Sequence, residues 1–227
     1  MTERHELRWG GFAGLGFVVL TVLANVLGGV PPRVSASADS IRAYAIGDAM
    51  LLGGLLTCAG AGLVIWFAAA FAEAIREREE RSDVHLALLA GSVLTGAALF
   101  AYGVGIAVLG YTAGSIALAS TVTMFQAMMV FNAMIGVAAA LPLGAAGIGV
   151  LRTRLMPDWL GYLGIAAAAV SLLAGLAIFV DSGPWAPGGS VMPFISLTAG
   201  GIFVVSASIF MVREHLPQVT PAVMPQT

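Results

Sequence analysis

The sequence predicts an all-α membrane protein: a single bundle of six transmembrane helices with both termini in the cytoplasm. Hydrophobic residues occupy 59% of the 227 positions and charged residues only 10%, whereas soluble domains carry about 25% charged residues. The apolar residues also lie in stretches of about 20 or more, the length that crosses a hydrocarbon core of roughly 30 Å at 1.5 Å rise per residue. Lipid is therefore the expected solvent for most of the surface.

The predicted spans follow one another with short connections. They cover residues 9–30, 44–75, 85–111, 121–151, 157–180 and 191–212. The first contains no charge and is closed by two prolines, whereas the second and third exceed the minimum length and are expected to tilt or project into water. Residues 1–216 are interpreted as one transmembrane domain. The tail 217–227, which has three prolines and no charge, is predicted to be disordered.

Arginine placement predicts the orientation, because short cytoplasmic loops are enriched in basic residues. Only Arg33 and Arg42 fall on the outer side if there are six spans. The other arginines all fall on the cytoplasmic side: Arg4, Arg8, Arg76, Arg78, Arg81, Arg152, Arg154 and Arg213. Four tryptophans fit the same orientation, three near the inner interface and one in the last outer loop: Trp9, Trp66, Trp159 and Trp185.

An alternative interpretation makes the first span a signal peptide. The segment Ala36-Ser37-Ala38 before Asp39 has the small-residue pattern of a cleavage site. However, the 22 residues from Trp9 to Val30 exceed the roughly 7 to 15 residues of a signal-peptide core. A spanning helix is therefore favoured.

The longest polar stretch inside the chain joins the second and third spans, from Glu73 to Asp83. Its charges alternate in sign, and Glu77 and Arg81 have the favourable i,i+4 order. We expect a solvated helical extension, which we call the neck. A docking surface for a partner protein is the alternative.

Small residues supply the expected packing signal, because apolar burial gives little driving force between helices in lipid. They recur four residues apart in three spans: Gly10 and Gly14; Gly54, Cys58 and Gly62; and Ala167, Ser171 and Gly175. The pattern predicts a tight bundle, with homodimerisation as another use of such faces. Cys58 is the only cysteine and cannot form an internal disulfide.

Polar side chains within apolar spans are candidate functional residues. Asp48 lies about one turn into the second span from the outer side, and Asn25 lies at similar depth in the first. One interpretation is a structural acid, because a carboxylate near a helix N-terminus stabilises the helix dipole and could also reach interfacial water or Arg42. The other is an outward-facing proton or cation site with Asn25. The shallow depth of Asp48 favours the structural interpretation.

The fourth span is the most irregular. Gln126 and Asn132 lie in its outer half, and Pro142 is followed by three glycines within seven residues. Pro142 is either the hinge of a broken transporter-type helix or an ordinary kink that a neighbouring helix repairs. Gln126 and Asn132 are six residues apart, about 240° around a helix, so they should not share a face. The methionines of this span are interpreted as packing residues.

Catalytic and metal-binding patterns are not evident. The three histidines lie at predicted cytoplasmic boundaries, and none is paired at i,i+4 with another histidine or an acid inside a span. The sequence also lacks the Gly-x-Ser-x-Gly and His-Glu-x-x-His motifs of hydrolases. We therefore expect neither an enzyme nor a bound cofactor or metal.

One segment resembles a known family. Met156-Pro157-Asp158-Trp159-Leu160-Gly161-Tyr162-Leu163-Gly164 is similar to the Leu-Pro-x-Trp-Leu-Gly-x-Leu-Gly signature of uncharacterised bacterial six-span proteins, a domain-of-unknown-function family common in high-GC Gram-positive bacteria. The resemblance implies the fold and a membrane location, and it brings no catalytic or binding residues. Physically, Pro157 would start a helix and Trp159 would anchor it at the interface.

The favoured expectation is a multi-pass protein of a bacterial plasma membrane with an accessory or regulatory role, binding other proteins or lipids. The alternative is a small-molecule or lipid transporter whose outward cavity is lined by polar residues of three spans, with Pro142 as hinge: Asp48, Asn25, Gln126 and Asn132. Beyond the lipid bilayer, the candidate partners are another membrane protein or a second copy. A net charge of −2 gives no indication of nucleic-acid binding.

Overall fold

The computed structural model describes residues 2–79, 82–180, 183–187 and 192–213, the side chains of 2–6 and 192–196 excepted. The predicted tail 217–227 therefore lies outside the described residues, as do Arg81 of the neck and residue 191 of the last span. The elements in chain order are α1 (Thr2–Gly28), α2 (Ala38–Ala45), α3 (Asp48–Arg76), α4 (Val84–Thr112), α5 (Leu118–Thr153), α6 (Asp158–Gly175), a 3₁₀ turn (Leu176–Phe179) and α7 (Met192–Val212).

The described chain is helical throughout its regular structure, which confirms the predicted all-α class. Five segments are long and apolar enough to cross a bilayer: Leu7–Gly28, Asp48–Arg76, Val84–Thr112, Leu118–Thr153 and Asp158–Phe179. A sixth apolar segment, Leu197–Val212, is shorter within the described side chains. These helices agree with a helical membrane bundle.

The six long helices form a closed ring. α1 packs on α3, α3 on α4, α4 on α5, α5 on α6 and α6 on α7, and α7 returns to α1, whereas contacts across the ring are sparse. Neighbours run antiparallel: Gly54 near the start of α3 meets Gly103 in the second half of α4, and Gly11 of α1 meets Val212 at the end of α7. The ring topology leaves a space at its centre.

Glycines mark the closest approaches between neighbouring helices. A Cβ at Gly147 of α5 would lie 2.6 Å from the Gly161 carbonyl oxygen of α6, and one at Gly164 would lie 2.9 Å from Gly147 Cα. Gly161 and Gly164 belong to the family-like segment 156–164, which therefore also serves close packing. Leu160 of the same segment is fully buried.

The two ends of the ring differ in charge. One end, here called the arginine end, carries the arginines that flank the helix termini there: Arg8, Arg76, Arg78, Arg152, Arg154 and Arg213. The other end, here called the opposite end, carries Arg33 and Arg42. The described beginning of α1 and the end of α7 both lie at the arginine end.

The neck is helical only at its start, where Glu73–Arg76 form the last turn of α3. The helix ends at Arg76 and α4 begins at Val84, and residues 77 and 78 form a turn. Ser82 is buried in the neck, where its hydroxyl accepts from Arg152 Nη1 at 3.4 Å and its carbonyl lies 2.8 Å from His85 Nδ1. Arg76 forms an ion pair with Glu73. The Arg152 contact ties Ser82 to the end of α5.

Candidate functional site

A cavity occupies the centre of the helix ring. It has two adjoining compartments that share lining residues: an inner one of about 240 Å³ and an outer one, nearer the opposite end, of about 770 Å³. The larger volume lies within the roughly 300–1,000 Å³ that small-molecule sites occupy. Residues from α1, α3, α4, α5 and α7 line both compartments.

Helical periodicity explains how the wall is built. The α5 wall of the inner compartment extends from Met129 to Ala146, about 25 Å at 1.5 Å per residue. Its members recur three or four residues apart, so they form one face of the helix. The α4 wall has the same spacing through Leu88, Ser92 and Thr95.

Polar side chains gather where the two compartments meet. Five of them line both compartments, and we call this set the polar junction: Thr21, Asn25, Thr57, Tyr102 and Asn132. The two threonine hydroxyls donate to backbone carbonyls one turn earlier in their own helices, each at 2.8 Å. The Asn25 amide likewise donates to the Thr21 carbonyl at 2.8 Å. These groups remain able to accept hydrogen bonds from a ligand.

Asn132 and Tyr102 are different, because neither side chain has a hydrogen-bond partner among the described residues. Asn132 lies near the middle of α5, and its carboxamide offers an NH₂ group with two donor hydrogens and an acceptor carbonyl oxygen. Tyr102 lines both compartments, and Tyr44 of α2 lines the outer one. A buried polar group without a hydrogen-bond partner destabilises the folded protein unless water or a ligand supplies that partner.

The cavity wall carries no formal charge. Among the described residues that line either compartment, none is Asp, Glu, Arg or His, and the chain has no lysine. Most of the lining is aliphatic or aromatic. An ion or a strongly charged ligand would therefore lose its hydration without gaining a counter-charge.

Aromatic packing closes the cavity toward the arginine end. Phe67 and Phe203 line the inner compartment, and the rings of Phe71 and Phe203 lie 6.4 Å apart between centroids. Phe67 and Phe71 lie 5.8 Å apart. Below them, Ile75 and Met211 continue the buried core toward the arginine end. The described core therefore blocks passage between the cavity and that end.

Helix α2 partly covers the opposite end of the cavity. It was not predicted, and it begins at the Ser37 N-cap, whose hydroxyl accepts from the Ser40 amide. Ile41 and Ala45 bury one face of α2 in a cluster shared with α4 and α5. Tyr44 borders the outer compartment and packs edge-on against Phe125, with centroids 5.9 Å apart. Burial raises the pKa of Tyr44, so its hydroxyl is neutral at physiological pH.

The predicted site residues divide into two groups. Asn25 and Asn132 both belong to the polar junction. Gln126 instead donates from its side chain to the Val34 carbonyl at 3.0 Å, which ties α5 to the loop after α1. Six residues apart on α5, Gln126 and Asn132 point in different directions, as their spacing predicts.

Asp48 lies at the edge of the cavity but not in its wall. It is exposed in the first turn of α3, and among the described residues it has no hydrogen-bond or ion-pair partner. Arg42, the cation considered for it, donates to the Gly114 carbonyl at 3.2 Å. At this position the carboxylate can stabilise the positive end of the α3 dipole, and a functional role for Asp48 stays a prediction.

Pro142 is buried in the cavity wall, within a continuous α5. Its ring packs on α4 at Gly91, where an added Cβ would lie 2.8 Å from Pro142 Cδ. Because proline has no N–H, the carbonyl one turn before it lacks its helical donor. The described helix runs through Pro142 without a break, so α5 is one continuous helix rather than two half-helices.

Tyr102, Thr21 and Thr57 were not singled out from the sequence, although a signal existed. Ser92, Thr95 and Tyr102 stand three and seven residues apart, so they form a polar stripe on one face of an otherwise apolar span. Thr21 and Asn25 share a face at i,i+4. Such stripes identify a polar interior only after the ring order of the helices is known.

Metal ligands are not clustered in the described part of the chain, where no group of three His, Cys, Asp or Glu residues could hold an ion. Cys58 contacts the Phe100 carbonyl across the α3–α4 interface at 3.6 Å. In comparisons with known proteins, no family model, curated protein or solved structure matches this chain. The resemblance of segment 156–164 therefore stays a prediction.

Proposed function

We propose that this chain is a six-span protein of a bacterial plasma membrane that binds a small uncharged molecule in its central cavity, in an accessory or regulatory role. The observation that carries the proposal is the uncharged cavity inside a closed helix ring, with the side chains of Asn132 and Tyr102 left open for a ligand. Binding pockets are typically apolar with a few convergent polar groups. This cavity has that composition.

The orientation we propose places both termini in the cytoplasm. Its support is the concentration of arginine at one end of the ring, which is typical of the cytoplasmic side. The cavity would then open toward the outer side. Fusion of green fluorescent protein to the C-terminus should give fluorescent cells, and fusion of alkaline phosphatase there should give no activity. The reverse result would overturn this orientation.

Replacing one glycine by a larger residue would fill the cavity with a side chain without distorting the backbone. Gly201 of α7 lines both compartments, and a Cβ added there would have nothing within 4 Å. Gly62 of α3 is a matched control, because a Cβ there also meets open space and Gly62 is an exposed helical position that does not line the cavity. Both substitutions replace glycine by the same residue within a helix.

The experiment compares wild type, Gly201→Leu and Gly62→Leu after mild purification into nanodiscs, with mass spectrometry of bound small molecules. We expect a stoichiometric molecule in wild type and in Gly62→Leu, and at least a tenfold loss of it in Gly201→Leu. An equal amount in all three variants would show that the molecule does not occupy the cavity. A preparation without any bound molecule, together with a stoichiometric protein partner, would favour an accessory role through protein binding instead.

A carrier is the second candidate function. It is favoured by the extent of the inner compartment, which runs along α5 to Ala146 and includes Pro142 in its wall. Transport requires opening of the aromatic closure formed by Phe67, Phe71 and Phe203. Release of the bound molecule to both sides of a proteoliposome would establish a carrier, whereas retention on one side supports the binding function.

A further inference from the structure

Two helices, α1 and α7, wall the cavity on one side. α1 and α7 approach closely near the arginine end, where Cβ atoms added at Gly11 and Gly14 of α1 would collide with α7 atoms of Val212 and Ser208. Toward the opposite end, both helices instead line the outer compartment. The two helices therefore form one wall of the cavity and also its boundary with lipid.

We infer an opening along this boundary from residues that line the cavity and are also exposed. Val22 and Val26 of α1 line the outer compartment and are 49% and 70% exposed, and Ile202 of α7 lines it and is 50% exposed. Val22 and Val26 stand four residues apart and so present one apolar face. Among the described side chains, these residues both border the cavity and face the surroundings. In a membrane those surroundings are acyl chains, so we call this boundary the α1–α7 opening.

The chemistry inside the opening selects against charged head groups. A phosphate or carboxylate drawn into the cavity would find no arginine or histidine among the described lining residues. The open polar groups are instead neutral: the Asn132 carboxamide donates and accepts, and the phenols of Tyr102 and Tyr44 do the same. Hydroxyl and carbonyl groups match such a set. Below them, aliphatic residues line the inner compartment and suit a hydrocarbon chain.

Resting on the proposed binding function, we propose that the ligand is an uncharged lipid bearing a hydroxyl or carbonyl group, which enters sideways through the α1–α7 opening. Its polar group hydrogen-bonds at the polar junction, with Asn132 as the main partner. One hydrocarbon chain lies in the inner compartment, on the side of Phe67 and Phe203 that faces the cavity. An apolar side entrance lets the chain remain in a hydrocarbon environment throughout binding, so only the small head group is desolvated.

Head-group selectivity can be measured with two photoactivatable probes in phosphatidylcholine nanodiscs. A diacylglycerol and a phosphatidylglycerol carry the same diazirine acyl chain, and labelled positions are mapped by mass spectrometry. We expect the diacylglycerol to label cavity-lining residues at least fivefold more than phosphatidylglycerol. Labelling should disappear in Gly201→Leu and persist in Gly62→Leu. Asn132→Leu should weaken it about three- to tenfold, the effect of losing one buried hydrogen bond, whereas Asn132→Gln should retain most of it.

The entry route has its own test. Cysteines at Val22 and Ile202, in a Cys58→Ala background, are bridged with a short bis-maleimide before the diacylglycerol is added. We expect the bridged protein to label at least tenfold more slowly than either single-cysteine protein treated in the same way. Equal rates would overturn lateral entry, as would efficient bridging between two copies of a single-cysteine protein, which would place a second copy in the opening.

These outcomes separate the inference from the proposed function. Equal or stronger cavity labelling by phosphatidylglycerol would overturn the uncharged-lipid inference while leaving ligand binding in place. A co-purified molecule that Gly201→Leu displaces, together with no cavity labelling by either lipid, would also overturn the inference but not the binding function. Absence of both a co-purified molecule and cavity labelling would overturn both.

Discussion

Close packing between α5 and α6 leads to a quantitative prediction for Gly147→Ala. The added Cβ would lie 2.6 Å from the Gly161 carbonyl oxygen and 2.8 Å from the Ile165 amide nitrogen, and ordinary contact begins at 3.4 Å. The shortfall from 2.6 to 3.4 Å requires α6 to move away by about 0.8 Å, because backbone atoms cannot rotate aside. Overpacking of this kind costs about 1–3 kcal/mol.

Gly144→Ala, three residues earlier on the same helix, is the matched control. Its Cβ would lie 3.6 Å from Ala168 Cβ, an ordinary contact. Both variants gain the same helix propensity, about 0.5–1 kcal/mol for alanine over glycine, so this gain cancels in the comparison. We therefore expect Gly147→Ala to be less stable than Gly144→Ala by about 1–3 kcal/mol.

Reversible unfolding in mixed micelles, followed by far-UV circular dichroism or steric trapping, measures this difference. A difference below about 0.5 kcal/mol, smaller than the overpacking range, would refute the inferred close approach of α5 and α6. Instability of Gly144→Ala equal to that of Gly147→Ala would refute the assigned helix faces. A lower free energy of unfolding for Gly147→Ala alone would support the packing described.

Three other predictions follow from the site. Gln126→Leu removes the side-chain bond to the Val34 carbonyl, so amide exchange in residues 33–37 should rise and the free energy of unfolding should fall by about 0.5–1.5 kcal/mol. Unchanged exchange would contradict this. Asp48→Asn should change ligand affinity less than twofold, because Asp48 lies outside the cavity wall, and loss of binding would restore a functional role for this acid. Ligand affinity should be constant between about pH 6 and 9. The described lining residues that can ionise are tyrosines, and burial raises the pKa of Tyr44. A titration midpoint of binding in that range would count against an uncharged site.

The long helices were predictable because their physical cause is local. A run of about 20 apolar residues has one stable arrangement in lipid, so hydropathy alone indicates that α1, α3, α4 and α5 exist. It does not give their ends, because α1 begins at Thr2, seven residues before the predicted span. The predicted second span began at residue 44, whereas α3 begins at Asp48. Gly47 has a φ of 145°, a conformation that side-chain-bearing residues rarely adopt, and it separates α2 from α3.

Helix α2 was missed because its signal is short and was interpreted in another way. Ser37 and Asp39 fit a helix N-terminus, and Ile41 and Ala45 stand four residues apart. The same serine belongs to the small-residue segment interpreted above as a cleavage pattern. The sequence therefore did not identify Tyr44 as a residue that borders the cavity. This became visible when the structure showed α2 packed on α4 and α5.

The site was only half predictable, because which polar residues meet depends on the order of helices in the ring. Asn25 and Asn132 stood out as amides in apolar spans, and both line the cavity. Tyr102 did not stand out, because a tyrosine in a transmembrane span is often an anchor at the membrane interface. Sequence separation gives no distance between α1, α4 and α5, so the convergence of these side chains is a tertiary property.

The most direct test of the account is an electron cryomicroscopy map of the protein in nanodiscs made from its native lipids. The account predicts elongated density in the central cavity, with a polar end within hydrogen-bonding distance of Asn132 and an apolar end above Phe203. A ring collapsed onto itself, with the Asn132 carboxamide bonded to a neighbouring helix and no cavity density, would contradict it.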